Sequence, residues 1–335
     1  MSSTNDLRWD GKPGHYEVYY LTFTDPATGV GVWIRYTMVA PLPSTGDPAT
    51  ASLWFLAMDP AADGGGATVG RKASWPVAEL MASANPFELR IGDATLGDRA
   101  MRGGFEDVSW DLRWEPGRSY EHVHPLLRGV ASTVLALPHA DIECSGHITI
   151  GERRLELDNV RGGQAHLWGS KHASEWAWIH CNDFEHADGT PADDVFVDGV
   201  SVIVHRFGRR IGPNTPFVGR VLGRDFNSRS AWRVITNSSD FSLTGWRFQV
   251  TDGARRLIGD VSADQRLLAG VTYHDPDGEL AYCYNGETAS MTLDVQEYRG
   301  RGDGWTTVEE LVAPGRAHFE YATRTPVPAH PLLTT

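Results

Sequence analysis

The fold is decided by two neighbouring runs, His15-Tyr-Glu-Val-Tyr-Tyr-Leu-Thr-Phe-Thr24 and Gly31-Val-Trp-Ile-Arg-Tyr-Thr-Met-Val-Ala40. Both are rich in aromatic and β-branched residues, which favour β-strands. The turn Asp25-Pro-Ala-Thr-Gly29 separates them, so they are predicted to form a β-hairpin. Similar short runs recur down the chain at intervals typical of sandwiches and barrels, for example at 87–91, 100–105, 108–114, 142–157, 195–207, 230–235 and 245–251.

This spacing predicts an all-β protein with few short helices. The helix that the pattern favours in the first half is Pro76 to Ala84. No alternation of strands and helices appears, and no glycine-rich phosphate loop follows a strand, so the sequence does not favour a doubly wound nucleotide fold. We expect two antiparallel barrel or sandwich domains, residues 1–190 and 191–335, divided near the polar segment from His186 to Asp194.

The composition of the chain limits the kinds of partner that it is expected to bind. The 335 residues carry 30 Lys+Arg against 43 Asp+Glu, a formal net charge of −13. Nucleic-acid binding needs a basic face, so no nucleic-acid partner is expected. No apolar run is long enough to span a membrane, and the first residues do not resemble a signal peptide, so the sequence predicts a cytoplasmic protein without an integral membrane segment. It leaves the oligomeric state open.

The densest chemical signature is His166-Leu-Trp-Gly-Ser-Lys-His-Ala-Ser-Glu-Trp-Ala-Trp-Ile-His-Cys-Asn-Asp183. Side chains alternate between the two faces of a strand. If residues 174–182 are a strand and the chain turns back at 169–173, one face lines a cavity that takes an apolar small molecule. The residues predicted to share that lining are His166, Trp168, Trp176, Trp178, His180 and Asn182.

Other chemistries are less favoured by the same segment. His166, His172, His180 and His186 are not spaced as a compact metal-ligand motif, so no metal site is predicted. There is no Gly-x-Ser-x-Gly nucleophile elbow, and Cys181 falls on the opposite strand face from His180. No cofactor is expected.

At His166-Leu-Trp168-Gly169 and Trp176-Ala-Trp178 the sequence resembles the lipocalin-like superfamily that includes carotenoid hydratases, AttH-like proteins, tocopherol cyclases and fungal Diels–Alderases. The resemblance implies two calycin-like domains. It also implies that His166 and Trp168 support acid-catalysed addition of water to an isoprenoid alkene. The Tyr-x-Asp pair of the hydratases is matched only by Phe196-Val-Asp198, which keeps the carboxyl group and lacks the phenol.

We therefore expect a cofactor-independent hydratase or cyclase that acts on an isoprenoid, polyene or polyketide-like substrate. Asp198 and Asp183 are the candidate acids, and the indoles of Trp168, Trp176 and Trp178 are candidates to stabilise a carbocation. Three alternatives stay open: a Diels–Alderase-type pericyclase, a non-catalytic carrier of a lipophilic molecule, and a β-scaffold in which the cluster is only core.

Overall fold

The computed structural model describes residues 4–62, 66–123, 128, 131–206, 208–328 and 330–334. They form two large, mainly antiparallel sheets of lipocalin-like domains, which confirms the predicted all-β class. The strands of the first sheet are β1 His15–Thr24, β2 Gly31–Ala40, β3 Thr50–Asp59, β4 Ala67–Pro76, β5 Leu80–Ala84, β6 Phe87–Ile91, β7 Ala94–Gly97, β8 Ala100–Phe105, β9 Val108–Trp114, β10 Tyr120–Glu121, β11 Thr133–Ile150 and β12 Arg153–Gly169.

The second sheet begins at residue 175, so the chain passes from one sheet to the other at 170–174, earlier than the predicted boundary at 190/191. Its strands are β13 Glu175–Cys181, β14 Phe184–His186, β15 Pro191–Ala192, β16 Phe196–Arg206, β17 Arg209–Asn214, β18 Phe217–Val221, β19 Arg224–Ser228, β20 Ser238–Ser242, β21 Gly245–Asp252, β22 Arg255–Ser262, β23 Ala269–His274, β24 Leu280–Tyr298, β25 Trp305–Thr323 and β26 Leu332–Thr334. Helical turns are short: α1 Ala231–Thr236 and the 3-10 helices Val77–Glu79 and Gln265–Leu267.

The central strands are buried on both faces. In β1, Tyr19, Leu21 and Phe23 point into the core of the first sheet, whereas Tyr16 and Tyr20 point towards the second sheet. A third apolar layer therefore lies between the two sheets, in addition to the core that each encloses. Because both faces are covered, large aromatic residues occur on both faces of the strand.

Strand β13 alternates as predicted. Ala177, Ile179 and Cys181 enter the core of the second sheet, while Trp176 and Trp178 face the first. Its neighbours in the sheet are β16 and β25. Side chains of β13, β16 and β25 therefore meet those of β1 and β12 across the interface, which is where the functional groups collect.

Two local predictions are wrong. Residues 76–84 do not form a helix: after a short 3-10 turn they continue as β5, which pairs with β6 so that Leu80 lies opposite Ile91. Sheet pairing thus overrides the helix preference of this segment. The predicted strand at 230–235 is helix α1 instead, capped by Ser230, whose side chain accepts a hydrogen bond from the Arg233 amide. No helix in the described part of the chain is long and apolar enough to cross a membrane.

Candidate active site

A cavity of about 650 Å³ lies between the two sheets, a volume typical of small-molecule sites. Its walls combine valine and leucine side chains with aromatic rings. Trp176 and Trp178 come from β13, Tyr20 from β1 and Trp33 from β2. The rings of Tyr20 and Trp178 meet edge to face, with centroids 5.5 Å apart, so the two sheets are in direct contact at the cavity wall.

Glu320 is the carboxyl group in the cavity lining. It lies on β25 directly opposite Trp178, and its Oε2 accepts a hydrogen bond of 3.4 Å from the indole Nε1 of Trp176. Burial raises the pKa of Glu320 to about 7, although the positive charge of Arg35 opposes that rise. A substantial fraction of the protein therefore carries a neutral carboxylic acid inside an aromatic cavity near pH 7.

Asp198 organises the polar edge of the cavity. Its Oδ1 accepts hydrogen bonds from Nε2 of His122 at 2.7 Å and from Nε1 of Trp178 at 3.2 Å, and its Oδ2 accepts one from Nδ1 of His180 at 3.0 Å. Burial favours the neutral form, but the hydrogen bonds from His122 and His180 outweigh it and lower the pKa of Asp198. Asp198 is therefore an ionised acceptor that orients its partners.

Of the two histidines bound to Asp198, His122 lines the cavity. Its Nε2 is committed to Asp198, and its Nδ1 is buried with no hydrogen-bond partner in the described part of the chain. When Nε2 carries the proton, Nδ1 presents a lone pair. A histidine held by a carboxylate in this way is one arrangement that supports general-base catalysis.

Further buried polar groups continue across the interface from His180. Its ring stacks on that of His318, with centroids 6.0 Å apart, and Nδ1 of His318 lies 2.9 Å from Oε2 of Glu287. Glu287 also accepts a hydrogen bond from Thr22 of β1. Burial raises the pKa of Glu287 to about 8, and burial lowers the pKa of His318 well below its usual value. Both groups are neutral at pH 7, which suits a buried pair.

The structure separates the predicted lining residues. Trp176 and Trp178 line the cavity. His180 lies on the same face but beyond the lining, bound to Asp198. Asn182 lies further along the interface, where its Nδ2 donates to Gly162 O at 2.8 Å and to Asp141 Oδ1 at 3.0 Å. Asn182 therefore ties the second sheet to the first.

His166 and Trp168 do not share that lining. Side chains alternate along β12, so Leu167 points to the cavity. His166 and Trp168 lie on the opposite face of the strand, away from the cavity. His166 stacks on Tyr19, with centroids 4.0 Å apart, and its Nε2 donates to Glu17 at 2.7 Å. We expected His166 and Trp168 to share a lining face with residues of β13. This expectation fails because β12 belongs to the first sheet and β13 to the second.

Glu17 and His166 hold the start of the chain against the first sheet. Nδ1 of His166 donates to Thr4 O at 2.7 Å, and Glu17 accepts backbone hydrogen bonds from Arg8 and Trp9. Burial opposes ionisation of Glu17, but hydrogen bonds from His15 and His166 lower its pKa to about 2. The contacts of the His-x-Trp-Gly element in this chain are those of a structural anchor.

Asp183 also lies outside the cavity lining. Its Oδ2 pairs with Nη1 of Arg316 at 3.4 Å, and both side chains are partly exposed. Asp183 therefore has a guanidinium partner and contact with solvent, not the apolar surroundings of a cavity wall.

The four closely spaced histidines, three in the signature segment and His186 just after it, each pair with a different carboxylate. His166 binds Glu17, and the other pairs are His172 with Asp275, His180 with Asp198 and His186 with Glu309. Within the described residues no group of three or more histidine, cysteine or acidic side chains is arranged to hold a metal ion.

The residues that sequence reasoning missed are Glu320, His122 and Arg35. A weak signal exists for Glu320, because His318 and Glu320 share one face of an otherwise apolar strand in Ala317-His-Phe-Glu-Tyr-Ala322. His122 lies in a connection whose position only the folded chain reveals.

We compared the chain with known proteins. No protein-family model matches it. It is 27% identical over 295 residues to an uncharacterised protein of Mycobacterium tuberculosis, found in two strains; the match covers 86% of this chain and 83% of that protein.

Solved structures resemble the chain along nearly its whole length. An AttH-like protein of Nitrosomonas europaea superposes with a TM-score of 0.54 at 14% identity, covering 97% of this chain and 100% of its own. CghA in complex with Sch210972 gives 0.59 at 9%, covering 96% and 92%. Kievitone hydratase of Nectria haematococca gives 0.52 at 8%, covering 93% and 90%. These similarities confirm the predicted resemblance at the level of the fold, which is the lipocalin-like architecture of these three proteins.

Proposed function

We propose that this protein is a cofactor-independent enzyme that binds an apolar alkene between its two sheets and protonates it from Glu320, giving a hydrated or cyclised product. The observation that carries the proposal is a carboxyl group with a pKa of about 7 in the lining of an aromatic cavity. General acids are most effective when their pKa lies near the working pH.

The first step transfers the proton of Glu320 to one alkene carbon, and the carbon–carbon π bond supplies the electron pair. The other carbon becomes a carbocation and Glu320 a carboxylate. The indoles of Trp33, Trp176 and Trp178 present aromatic faces in the same cavity. Their negative ring faces stabilise a cation by about 0.5–2 kcal/mol each, and the cavity limits competing reactions with bulk water.

The second step removes a proton. In hydration, a water oxygen bonds to the cation and His122, held by Asp198, takes the proton released. In cyclisation, a second alkene attacks the cation and the same base removes a proton from the resulting ring. The catalytic cycle closes when the proton returns from His122 to Glu320 through water.

Two of the structural neighbours are consistent with an enzyme of this kind, one by its name and the other by the ligand in its crystal structure. Kievitone hydratase is named for the addition of water, and CghA has been crystallised with the small molecule Sch210972. At identities of 8–9% they support the proposal only through the shared fold, and the residues named here are those of this chain.

Carriage of a lipophilic molecule is the second candidate function. Its support is the predominance of tryptophan, tyrosine, valine and leucine in the cavity lining. A carrier needs this apolar wall, but it does not need a proton on Glu320 or a base at His122.

The test incubates the purified full-length protein with farnesol and geranylgeraniol in labelled solvents. Deuterium oxide reports protonation of a carbon atom, and water labelled with oxygen-18, used separately, reports addition of water. We expect products with deuterium on carbon from wild type and none from Glu320→Gln, which keeps the shape and the acceptor for Trp176. Binding, followed by tryptophan fluorescence, should survive the substitution. Equal turnover by wild type and Glu320→Gln contradicts the proposal, and binding without turnover by wild type supports the carrier.

A further inference from the structure

A second cavity of about 330 Å³ adjoins the first. Arg35, His172 and Tyr273 line both cavities, so the Arg35 side chain lies where the two meet. The large cavity is mainly apolar, whereas the small one is lined by hydroxyl groups and basic side chains. A molecule that occupied both would have an apolar part and a polar part.

Arg35 is buried, at 4% exposure, without a carboxylate partner within ion-pair distance among the described residues. Its Nε donates to Thr37 Oγ1 at 2.9 Å, and its guanidinium carbon lies 4.0 Å from the ring centre of Tyr273. Buried cations are normally paired with an anion, because desolvation of an isolated charge is costly. The terminal nitrogens of Arg35 are thus available to an anion from outside the chain.

Lys72 adds a second positive charge on the same face. The strand register places Arg35 of β2 opposite Trp54 of β3, and Trp54 opposite Lys72 of β4. Nζ of Lys72 lies 4.4 Å from the ring centre of Trp54. Burial, followed by the charge of Arg35, lowers the pKa of Lys72. A bound anion would relieve the repulsion between the two cations.

The acidic groups of the small cavity do not neutralise the charge of Arg35. Asp275 is already bound to Nδ1 of His172 at 2.5 Å and to Nη1 of Arg324 at 2.7 Å. Asp47 lies on the exposed rim. Burial also lowers the pKa of His172 and His274, so neither adds a positive charge at pH 7. Arg35 is therefore the buried positive charge that a ligand in this cavity meets.

We propose that the small cavity binds the anionic head group, a carboxylate or a phosphate, of an amphipathic substrate whose hydrocarbon part occupies the large cavity. Guanidinium groups bind both anions through two parallel hydrogen bonds. The inference rests on the proposed function for the position of the hydrocarbon part, beside Glu320, and adds the substrate class. An anion at Arg35 also removes the positive charge that favours ionisation of Glu320, so the substrate itself helps to keep the acid protonated.

The experiment measures equilibrium binding and needs no turnover. Displacement of N-phenylnaphthylamine fluorescence is followed with farnesol, farnesoic acid and farnesyl phosphate, which share one hydrocarbon and differ in head group. We expect at least one anion to bind about tenfold more tightly than farnesol, a difference typical of one charge-assisted pair. The acid and phosphate arms distinguish the two head groups.

Two variants test the residues. Arg35→Met should abolish the difference in affinity between the anion and farnesol. Lys72→Met, at a partly exposed site, should reduce this difference, and it keeps the test possible if Arg35→Met does not fold. The control is Arg247→Met, which removes an exposed arginine paired with Asp260. Equal affinities for all three ligands in wild type, or an unchanged preference in both variants, overturn the proposal.

A comparison of two dyes tests the anion site independently of the proposed function. If no farnesyl compound displaces the dye, anilinonaphthalene sulfonate and its sulfonate-free analogue N-phenylnaphthylamine are compared directly. Tighter binding of the sulfonate that depends on Arg35 supports the anion site even where isoprenoids fail. Equal binding of the two dyes overturns it, whatever the outcome of the Glu320→Gln turnover assay.

Discussion

Nε2 of His122, which follows β10 of the first sheet, lies 2.7 Å from Oδ1 of Asp198 on β16 of the second sheet. Both side chains are fully buried, so this hydrogen bond crosses the interface away from water. It fixes the ring of His122 at the cavity wall and leaves Nδ1 unpartnered among the described residues. The proposed base therefore follows a strand of the first sheet, and the carboxylate that orients it lies in the second.

Replacement of His122 by Gln tests its role as the base. Because the amide cannot take up a proton, we expect kcat to fall about hundredfold, the lower limit for general-base catalysis, with little change in KM. Steady-state kinetics on any alkene that the wild type converts would measure this. Asp183→Asn is the matched control, since Asp183 lies outside the cavity lining. A kcat within twofold of wild type would rule out His122 as the base.

Stability should depend on pH through Glu287. Burial raises its pKa from 4.5 to about 8, so the folded state holds a proton that the unfolded state releases. The contribution of Glu287 is fully present below pH 4.5 and is lost as the pH rises towards 8. Urea unfolding of Glu287→Gln across this window should show a smaller decline than wild type, because the amide stays neutral. Parallel stability curves for the two proteins would contradict this assignment.

Loss of His166 should reduce stability and leave the cavity intact. Its imidazole joins Glu17 to the backbone of Thr4, and removing one partner of a buried pair costs about 3 kcal/mol. Urea unfolding of His166→Ala should show a loss of this order, while the affinity for N-phenylnaphthylamine stays at the wild-type value. Wild-type stability together with lost dye binding would instead place His166 at the ligand site.

Gly163 is required by close packing of the two domains. A Cβ at this position would lie 2.5 Å from Nε2 of His180, so Gly163→Ala must displace the imidazole that binds Asp198. Overpacking of this kind costs about 1–3 kcal/mol. We expect a lower unfolding free energy and, if the proposed function holds, slower turnover. The double variant Gly163→Ala/His180→Ala should recover part of the stability; no recovery would show that the clash lies elsewhere.

Local pattern was enough to predict the strands but not their environment. The bounds of β1 and β2 agree with the prediction, and the alternation of Trp176 and Trp178 against Ala177 and Ile179 is correct. The alternation of residues shows which side chains share a face of the strand, but it does not show what packs against each face. From Gly162 to His166 both faces of β12 are buried, so the pattern does not reveal that His166 stacks on Tyr19 of the first core.

The polar groups of the cavity depend on contacts between distant strands. Arg35 and Glu320 are far apart in sequence, and each looks like an ordinary charged strand residue. Only the packing of the two sheets brings them to one cavity and gives the carboxyl group its raised pKa. The resemblance to hydratases directed attention to Asp198, whose hydrogen bonds keep it ionised, because sequence does not show how many donors surround a carboxylate.

The central claim is that Glu320 holds a proton in the cavity near neutral pH, and pH-titrated infrared spectroscopy of the intact protein tests it most directly. A protonated carboxyl group gives a carbonyl band separate from those of carboxylates. We predict such a band in wild type that disappears with a midpoint near pH 7 and is absent from Glu320→Gln. The band of Glu287 should persist to higher pH in both proteins. If Glu320→Gln shows the same bands as wild type across the titration, Glu320 is already ionised and is not the proton donor.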